Sequence, residues 1–195
     1  LKYEGNLKDY KLKITAKCKD SFYEQTVDIW HFEDMHKFYI ENPYLWWPKN
    51  MGEPNLYDFT LELIKDGATV DTKELKIGLR TVKLERTSLT TNNGEGEFCF
   101  LVNGVKMFVM GTNWVPLDAL HSRDAERLPK ALDLLDDIGV NMVRCWGGNV
   151  YEDHEFFDFC DAHGIAVWQD FSLGCAIYPQ DEEFLSAIRE EVFSV

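Results

Sequence analysis

Apolar and polar residues alternate through the first part of the chain. In Tyr10-Lys11-Leu12-Lys13-Ile14-Thr15-Ala16-Lys17 the side chains of Tyr10, Leu12, Ile14 and Ala16 share one face, the period of two that marks a half-buried strand. The same rhythm runs from Gln25 to Phe32 and from Tyr57 to Lys65. Asp66-Gly67 follows the latter, a dipeptide that takes up positive φ in a tight turn. Val70 to Val82 predicts one or two further strands, ending in Gly78-Leu79-Arg80-Thr81-Val82. Short strands at this spacing predict an antiparallel sandwich. Asn42-Pro43 and Trp47-Pro48 interrupt it, because proline cannot donate to a ladder and the residue before it avoids helix.

From Thr87 to Gly96 the chain turns polar and glycine-rich, which predicts a boundary loop. Phe98 to Val102 and Lys106 to Met110 flank Asn103-Gly104, a strong hairpin signal. After Gly111 the pattern becomes strand, helix, strand, helix. Ser122 or Asp124 can cap a helix carrying Leu128, Ala131, Leu132, Leu135 and Ile138 on one face. Pro129 predicts that this helix begins late or kinks, and Gly139 ends it. A strand is expected from Val140 to Trp146, and a helix from Tyr151 to His163 with Phe156, Phe157 and Cys160 inward. A strand from Ile165 to Phe171 and a helix near Asp181 to Val192, burying Phe184, Ile188 and Val192, complete the reading. Strands apolar on both faces belong in a parallel sheet covered by helices. The recurrence matches βαβ units, and three such units are the opening of a (β/α)₈ barrel, which needs eight units and about 250 residues. The expected architecture is therefore a multi-domain β then α/β chain: a β-sandwich over residues 1–86, then about three units of an incomplete (β/α)₈ barrel over residues 87–195.

Composition narrows the function. The 195 residues are 45% hydrophobic, enough for a packed core, and carry 34 acidic against 20 basic side chains, a net charge of −14. Such a chain repels a phosphate backbone and an anionic membrane surface, so neither nucleic acid nor membrane is an expected partner. No apolar run approaches the roughly 18 residues of a membrane span. The five cysteines, Cys18, Cys99, Cys145, Cys160 and Cys175, form no CxxC pair and read as small hydrophobes, with no metal site or cofactor implied. Aromatic residues reach 14%, with six tryptophans, suited either to core packing or to sugar-binding surfaces.

In a parallel α/β sheet, ligands bind at the carboxyl ends of the strands. That rule selects Gly111 to Asp118, Arg144 to Gly148, and Trp168 to Phe171. Each joins an aromatic to polar groups, the makeup of a carbohydrate subsite. Packing offers its own account of them: Trp146 as a core residue, Arg144 and Asp170 as a structural ion pair, Asn113 as a turn residue.

At these residues the chain resembles a family. Asn141-Met142-Val143-Arg144-Cys145-Trp146-Gly147-Gly148-Asn149-Val150-Tyr151-Glu152 is similar to the N-M-x-R-x-W-G-G-G-x-Y-E segment of the β-mannosidases of glycoside hydrolase family 2. Phe157 to Phe171 resembles their F-Y-x-x-C-D-x-x-G-I-x-V-W-Q-D-F, and Gly111-Thr112-Asn113-Trp114-Val115-Pro116 their G-x-N-W-I-P. Pro43 to Pro48, Pro54 to Tyr57 and Gly78 to Val82 resemble the family's immunoglobulin-like sandwich. Asn149 stands where the pattern has a third glycine, and Cys145 where valine is commoner. Trp-Gly-Gly after the arginine, in place of His-Tyr-Pro, favours β-mannoside over β-galactoside or β-glucuronide.

The resemblance implies a retaining mechanism with two glutamates, whose carboxyls sit about 5–5.5 Å apart. In the family one follows barrel strand four in an Asn-Glu pair and the other follows strand seven. No Asn-Glu dipeptide occurs here, so no catalytic residue is expected in this chain. Glu152, Glu155, Glu182 and Glu183 read as solvated helix positions. What the resemblance leaves is one side of a sugar subsite: Trp146 at the sugar, Arg144 beneath the nucleophile, Asp170 on the pocket floor, with Asn113 and Trp114 beside them. The expected partner is a β-mannoside or related oligosaccharide. The alternatives are a non-catalytic glycan-binding or scaffold module, and a β-galactosidase-like member of the family. Leu1 is not an initiator methionine, so the chain reads as cut from a longer one. An interrupted barrel predicts self-association, or poor order in the last ~30 residues, through its open sheet edge.

Overall fold

The computed structural model describes residues 1–29, 38–87 and 96–194. Its first half is one antiparallel sheet of β1 (Tyr10–Cys18), β2 (Ser21–Asp28), β3 (Tyr57–Lys65) and β4 (Ala68–Ile77), in the order β2-β1-β3-β4. The expected alternation holds in β1: Tyr10, Leu12, Ile14, Ala16 and Cys18 are all buried. Tyr57, Phe59 and Leu63 of β3 join that face, and Ile40, Tyr44 and Leu79 pack near it. Asp66 and Gly67, at φ of 50° and 80°, form the β3–β4 turn, whose left-handed residues suit the twist of a hairpin. β2 ends at Asp28, so the expected continuation through Trp30, His31 and Phe32 lies outside the described residues, as does most of the loop from Thr87 to Gly96. The chain is mostly sheet with some helix, consistent with a β-sandwich domain.

A second antiparallel sheet comprises β5 (Val82–Arg86), β6 (Phe98–Val102) and β7 (Val105–Met107). The Asn103-Gly104 hairpin joins β6 to β7, with both residues at positive φ. β5 pairs with β6, so ladder bonds cross the boundary expected at residue 86. Val102 and Met107 pack on Met142 and carry this sheet beneath the third one.

The third sheet is parallel: β8 (Gly111–Trp114), β9 (Met142–Cys145) and β10 (Ala166–Gln169), in the order β10-β9-β8. Asn141 secures its lower end. Its side chain accepts from Met110 N at 2.9 Å and donates to Phe108 O at 3.0 Å, and it is 2% exposed. Helices α1 (Asp124–Asp137) and α2 (His154–His163) cover one face, enclosing Leu128, Leu132, Leu135, Val143, Cys145, Phe156 and Cys160.

Several details differ from expectation. α1 runs through Pro129 from Asp124 rather than starting late, and its N-cap position is Arg123, which makes no side-chain cap. Its start is held from outside: Asp118 pairs with Arg127 at 2.9 Å, and Asp124 meets His121 Nδ1 at 2.6 Å. Ile138, expected on the buried stripe, caps the helix at 63% exposure. α2 begins at His154, three residues later than Tyr151, because residues 151–153 are used by a loop. α3 (Glu182–Ser194) forms but buries no residue. Phe184 and Ile188 are half covered and Val192 is exposed, since nothing encloses that stripe among the described residues. Cys175, expected in an apolar setting, is exposed.

The loop at Trp46 to Lys49 joins the first sheet to the helices. Trp46 is 1% exposed, and its indole donates to Asp161 O at 2.7 Å. The Arg80 guanidinium lies 4.5 Å over its ring and pairs with Asp161 at 3.4 Å. Lys49 N donates to Gly164 O at 2.7 Å, and Lys49 Nζ reaches Asp136 Oδ1 at 2.6 Å. His163 Nδ1 shares that oxygen at 3.0 Å, and both partners hold the Asp136 carboxyl below the usual carboxylate range. Burial pushes the Asp161 carboxyl the other way.

Candidate active-site rim

Register decides which side chains meet. Asn113, Arg144 and Trp168 are directly paired across β8, β9 and β10, and successive residues of a strand point to opposite faces. These three form one row on the face away from the helices. Asn113, Arg144 and Trp168 line a groove of about 630 Å³ there, together with Met142, Phe98 and Phe100. The next row, Trp114 and Cys145, turns into the helix-side core. Burial pushes the Cys145 thiol up to about 12, with Glu152 and Asp170 adding to it.

The carboxyl ends of β9 and β10 hold the densest polar contact of this sheet. Arg144 Nη2 donates to Asp170 Oδ2 at 2.5 Å and Arg144 Nε to Oδ1 at 3.3 Å, a forked pairing that fixes both planes. Asp170 Oδ2 also accepts from Gly147 N at 3.2 Å. The Asp170 amide donates to Cys145 O at 3.0 Å, which places the carboxylate one step above the strand end. The Arg144 side chain is 41% exposed and that of Asp170 22%, so the pair is open to a ligand rather than sealed in the core.

Trp146 follows β9 directly and folds back over its own turn. A Cβ on Gly148 would lie 2.1 Å from the ring, and one on Gly147 would lie 2.8 Å from Phe171 O. Both glycines are required by close approach rather than by φ. Asn149 N donates to Trp146 O at 2.9 Å and closes the turn.

The structure therefore brings Arg144, Trp146 and Asp170 to one end of one sheet, with Asn113 one strand away on the Arg144 face. Trp114 does not join them. It is 5% exposed, packs on Phe156 at 5.0 Å and donates its indole N–H to Glu152 Oε1 at 2.8 Å. Strand alternation explains this: neighbours Asn113 and Trp114 cannot face the same way. Trp168 packs against Phe98 and Phe100 below the rim. Sequence reasoning gave no role to the Gly147 amide, placed Tyr151 at the start of a helix and read Glu152 as a solvated helix position. Tyr151 OH accepts from Ser172 N at 3.2 Å. Glu152 precedes α2 and is not the solvated helix residue it resembled; only the late start of α2 reveals it. Glu155, Glu182 and Glu183 are exposed on helices as expected. Among the described residues no group of His, Cys, Asp and Glu could hold a metal ion.

Residues 1–80 match the sequence profile described as Glycosyl hydrolases family 2. The whole-chain architecture superposes with a TM-score of 0.76 on a β-D-mannosidase crystal structure from Dictyoglomus thermophilum, at 34% identity, covering 93% of this chain and 23% of that one. A β-glucuronidase from Parabacteroides merdae, at 19% identity and a TM-score of 0.66, shares the fold over 93% of this chain and 22% of its own. The chain belongs to glycoside hydrolase family 2. Within that family its sequence is β-mannosidase-like: it is 39% identical over 148 residues to the β-mannosidase of Capra hircus, covering 75% of this chain and 17% of the relative. With β-mannosidase B of Aspergillus terreus the identity is 41% over 155 residues, covering 79% of this chain and 18% of the relative. The chain thus spans less than a fifth of the length of these curated relatives.

Proposed function

We propose that this chain supplies one side of the sugar pocket of a retaining glycosidase that acts on terminal β-D-mannosides. The observation that carries the reading is the rim itself: an arginine–carboxylate fork at the carboxyl ends of parallel strands, with Trp146 in the turn that directly follows β9 and whose Gly147 amide the fork's carboxylate holds. An indole face packs on the C–H face of a pyranose, while Arg144, Asp170 and Asn113 offer donors and an acceptor to its hydroxyls. Arg144 would also place positive charge beneath a nucleophilic carboxylate and keep it ionised. Trp114 serves behind the rim, under the loop that carries Trp146.

On this reading residues 1–86 are an immunoglobulin-like module, and residues 87–195 carry the first three units of a (β/α)₈ barrel, with β5 tied across the junction. Among the described residues of the parallel-sheet half we read no glutamate as placed for acid/base or nucleophilic work. Glu155, Glu182 and Glu183 are exposed on helices, and Glu152 is engaged by Trp114. The isolated chain is therefore inert. Its open β10 edge and the uncovered stripe of α3 favour self-association.

The test combines two measurements on the chain. With an aryl β-D-mannoside no aryl alcohol is released. With methyl β-D-mannopyranoside, intrinsic tryptophan fluorescence responds saturably, and Trp146→Ala removes the response. Hydrolysis by the chain alone refutes the inert reading. A response that survives Trp146→Ala refutes the pocket. Sedimentation velocity reads the association, and a monomer at all concentrations contradicts it.

A further inference from the structure

The loop from Trp146 to Glu152 is tied on two sides. Toward β10 it is held by Gly147 N on Asp170 and by Tyr151 OH on Ser172 N. Toward β8 it has Glu152 Oε1, which accepts from Trp114 Nε1 at 2.8 Å, and a longer backbone bond from Trp146 N to Trp114 O at 3.4 Å. The Glu152 bond joins residues 38 apart in sequence and is anchored on a packed ring, since Trp114 is 5% exposed against a fully buried Phe156. A carboxylate accepting from a neutral N–H makes a charge-assisted bond, stronger than a neutral pair.

We infer that Glu152 is a positioning residue for the sugar pocket: its bond to Trp114 fixes the β8 side of the loop and thereby the attitude of the Trp146 ring. The inference rests on the reading of Trp146 as a sugar contact. The turn at 146–149 has no slack of its own, because the Trp146 ring already lies against Gly148. A shift of the loop stem at residue 152 is therefore passed to the ring rather than absorbed. Without Glu152, the long Trp146 N to Trp114 O bond is left to oppose the Asp170 and Ser172 contacts, and the ring swings toward β10. A ring turned away from the sugar loses part of its packing on it, and each 1.4 kcal/mol so lost is about tenfold in affinity. Glu152 touches no substrate in this account and works through Trp146.

The experiment uses the full chain labelled with ¹⁵N-tryptophan, its indole signals assigned by single Trp→Phe variants. Glu152→Leu removes the acceptor at similar volume, and Glu152→Gln keeps an acceptor oxygen. Trp114→Phe breaks the same bond from the donor side and serves where Glu152→Leu does not fold. Two readouts follow: the Trp146 indole shift, and the concentration of methyl β-D-mannopyranoside that half-saturates the fluorescence response. The inference expects Glu152→Leu and Trp114→Phe to move the Trp146 signal and to weaken sugar binding about tenfold, with Glu152→Gln close to the parent on both. If Glu152→Leu alters the Trp114 signal but leaves Trp146 and sugar binding unchanged, Glu152 is merely structural and the inference is overturned. If the Trp146 signal moves while the parent chain itself shows no response to the sugar, the positioning stands and the sugar pocket falls.

Discussion

Two glycines offer a controlled measurement of how the first sheet is coupled to the helices. Gly139 and Gly164 follow α1 and α2 at nearly the same left-handed φ, +73° and +70°. An alanine in that region costs about 1–2 kcal/mol in backbone strain, offset by about 0.4–1 kcal/mol because the unfolded chain loses freedom. At Gly139 nothing lies within 4 Å of the added Cβ, so Gly139→Ala should cost about 1 kcal/mol or less. At Gly164 the same Cβ would lie 2.8 Å from Lys49 N and 3.0 Å from Trp47 O. Both are backbone atoms, which cannot rotate away, so the loop must retreat. That sacrifices the Lys49 N to Gly164 O bond, worth about 1 kcal/mol. It also loosens Trp46, itself 1% exposed, whose part-buried indole bond to Asp161 O costs about 1–2 kcal/mol to leave unmade. Gly164→Ala should therefore cost about 3 kcal/mol, some 2 more than Gly139→Ala. The assay is urea denaturation of both variants followed by far-ultraviolet circular dichroism, with equal slopes required for the comparison. If the two costs agree within about 0.5 kcal/mol, the resolution of such experiments, the loop is not the coupling element and the argument is refuted.

Other consequences follow from single groups. Asn141→Ala removes both side-chain bonds that tie β9 to the segment before β8; since Met110 and Phe108 can be rehydrated, the cost should be about 1–2 kcal/mol, read as lost amide protection in β8 by hydrogen exchange, and unchanged protection refutes it. The Asp136 carboxyl is depressed by Lys49 and His163, so its stabilisation is present above the unfolded value near 4 and is lost as pH falls through the lower folded value. Asp136→Asn should thus cost under about 1 kcal/mol near neutrality, given its partial exposure, and the gap to the parent should narrow as pH falls below about 4; a gap that does not narrow on acidification contradicts the pairing. Burial pushes the thiols of Cys145 and Cys160 up to about 12, so iodoacetamide at pH 8 should label exposed Cys175 in the native chain and reach the two buried thiols only after denaturation, as mass spectrometry of peptides would report.

Much of the fold was legible because burial on one face writes a period into the sequence. Tyr10, Leu12, Ile14 and Ala16 announce β1, and Asp66-Gly67 and Asn103-Gly104 announce their hairpins, since few dipeptides tolerate two residues at positive φ. β5 was not legible as part of the second sheet. Val82 and Leu84 are 59% and 42% exposed, so its alternation carries little burial, and its partner lies across the polar loop. The buried stripe of α3 was overread for a related cause: Phe184, Ile188 and Val192 have the correct spacing, but a helical period records what a face is suited to meet, not whether it meets it within these residues.

The rim shows the same limit at finer scale. Arg144, Trp146 and Asp170 could be placed together from sequence because each sits at or just beyond a strand end, and parallel strands in register bring their ends together. Whether a residue near that end faces the groove or the helices depends on parity alone, and one step separates Asn113 from Trp114. A motif such as G-x-N-W-I-P names both residues without saying which face each takes. Glu152 was harder still, because a carboxylate two residues before a helix resembles a solvated or capping residue, and only the register of Trp114 supplies the donor that claims it. What pattern cannot give is the pairing across loops. A glutamate without an evident partner at the start of a helix is thus best tested against every buried indole that the sheet register turns toward it, as Trp114 is turned toward Glu152 here.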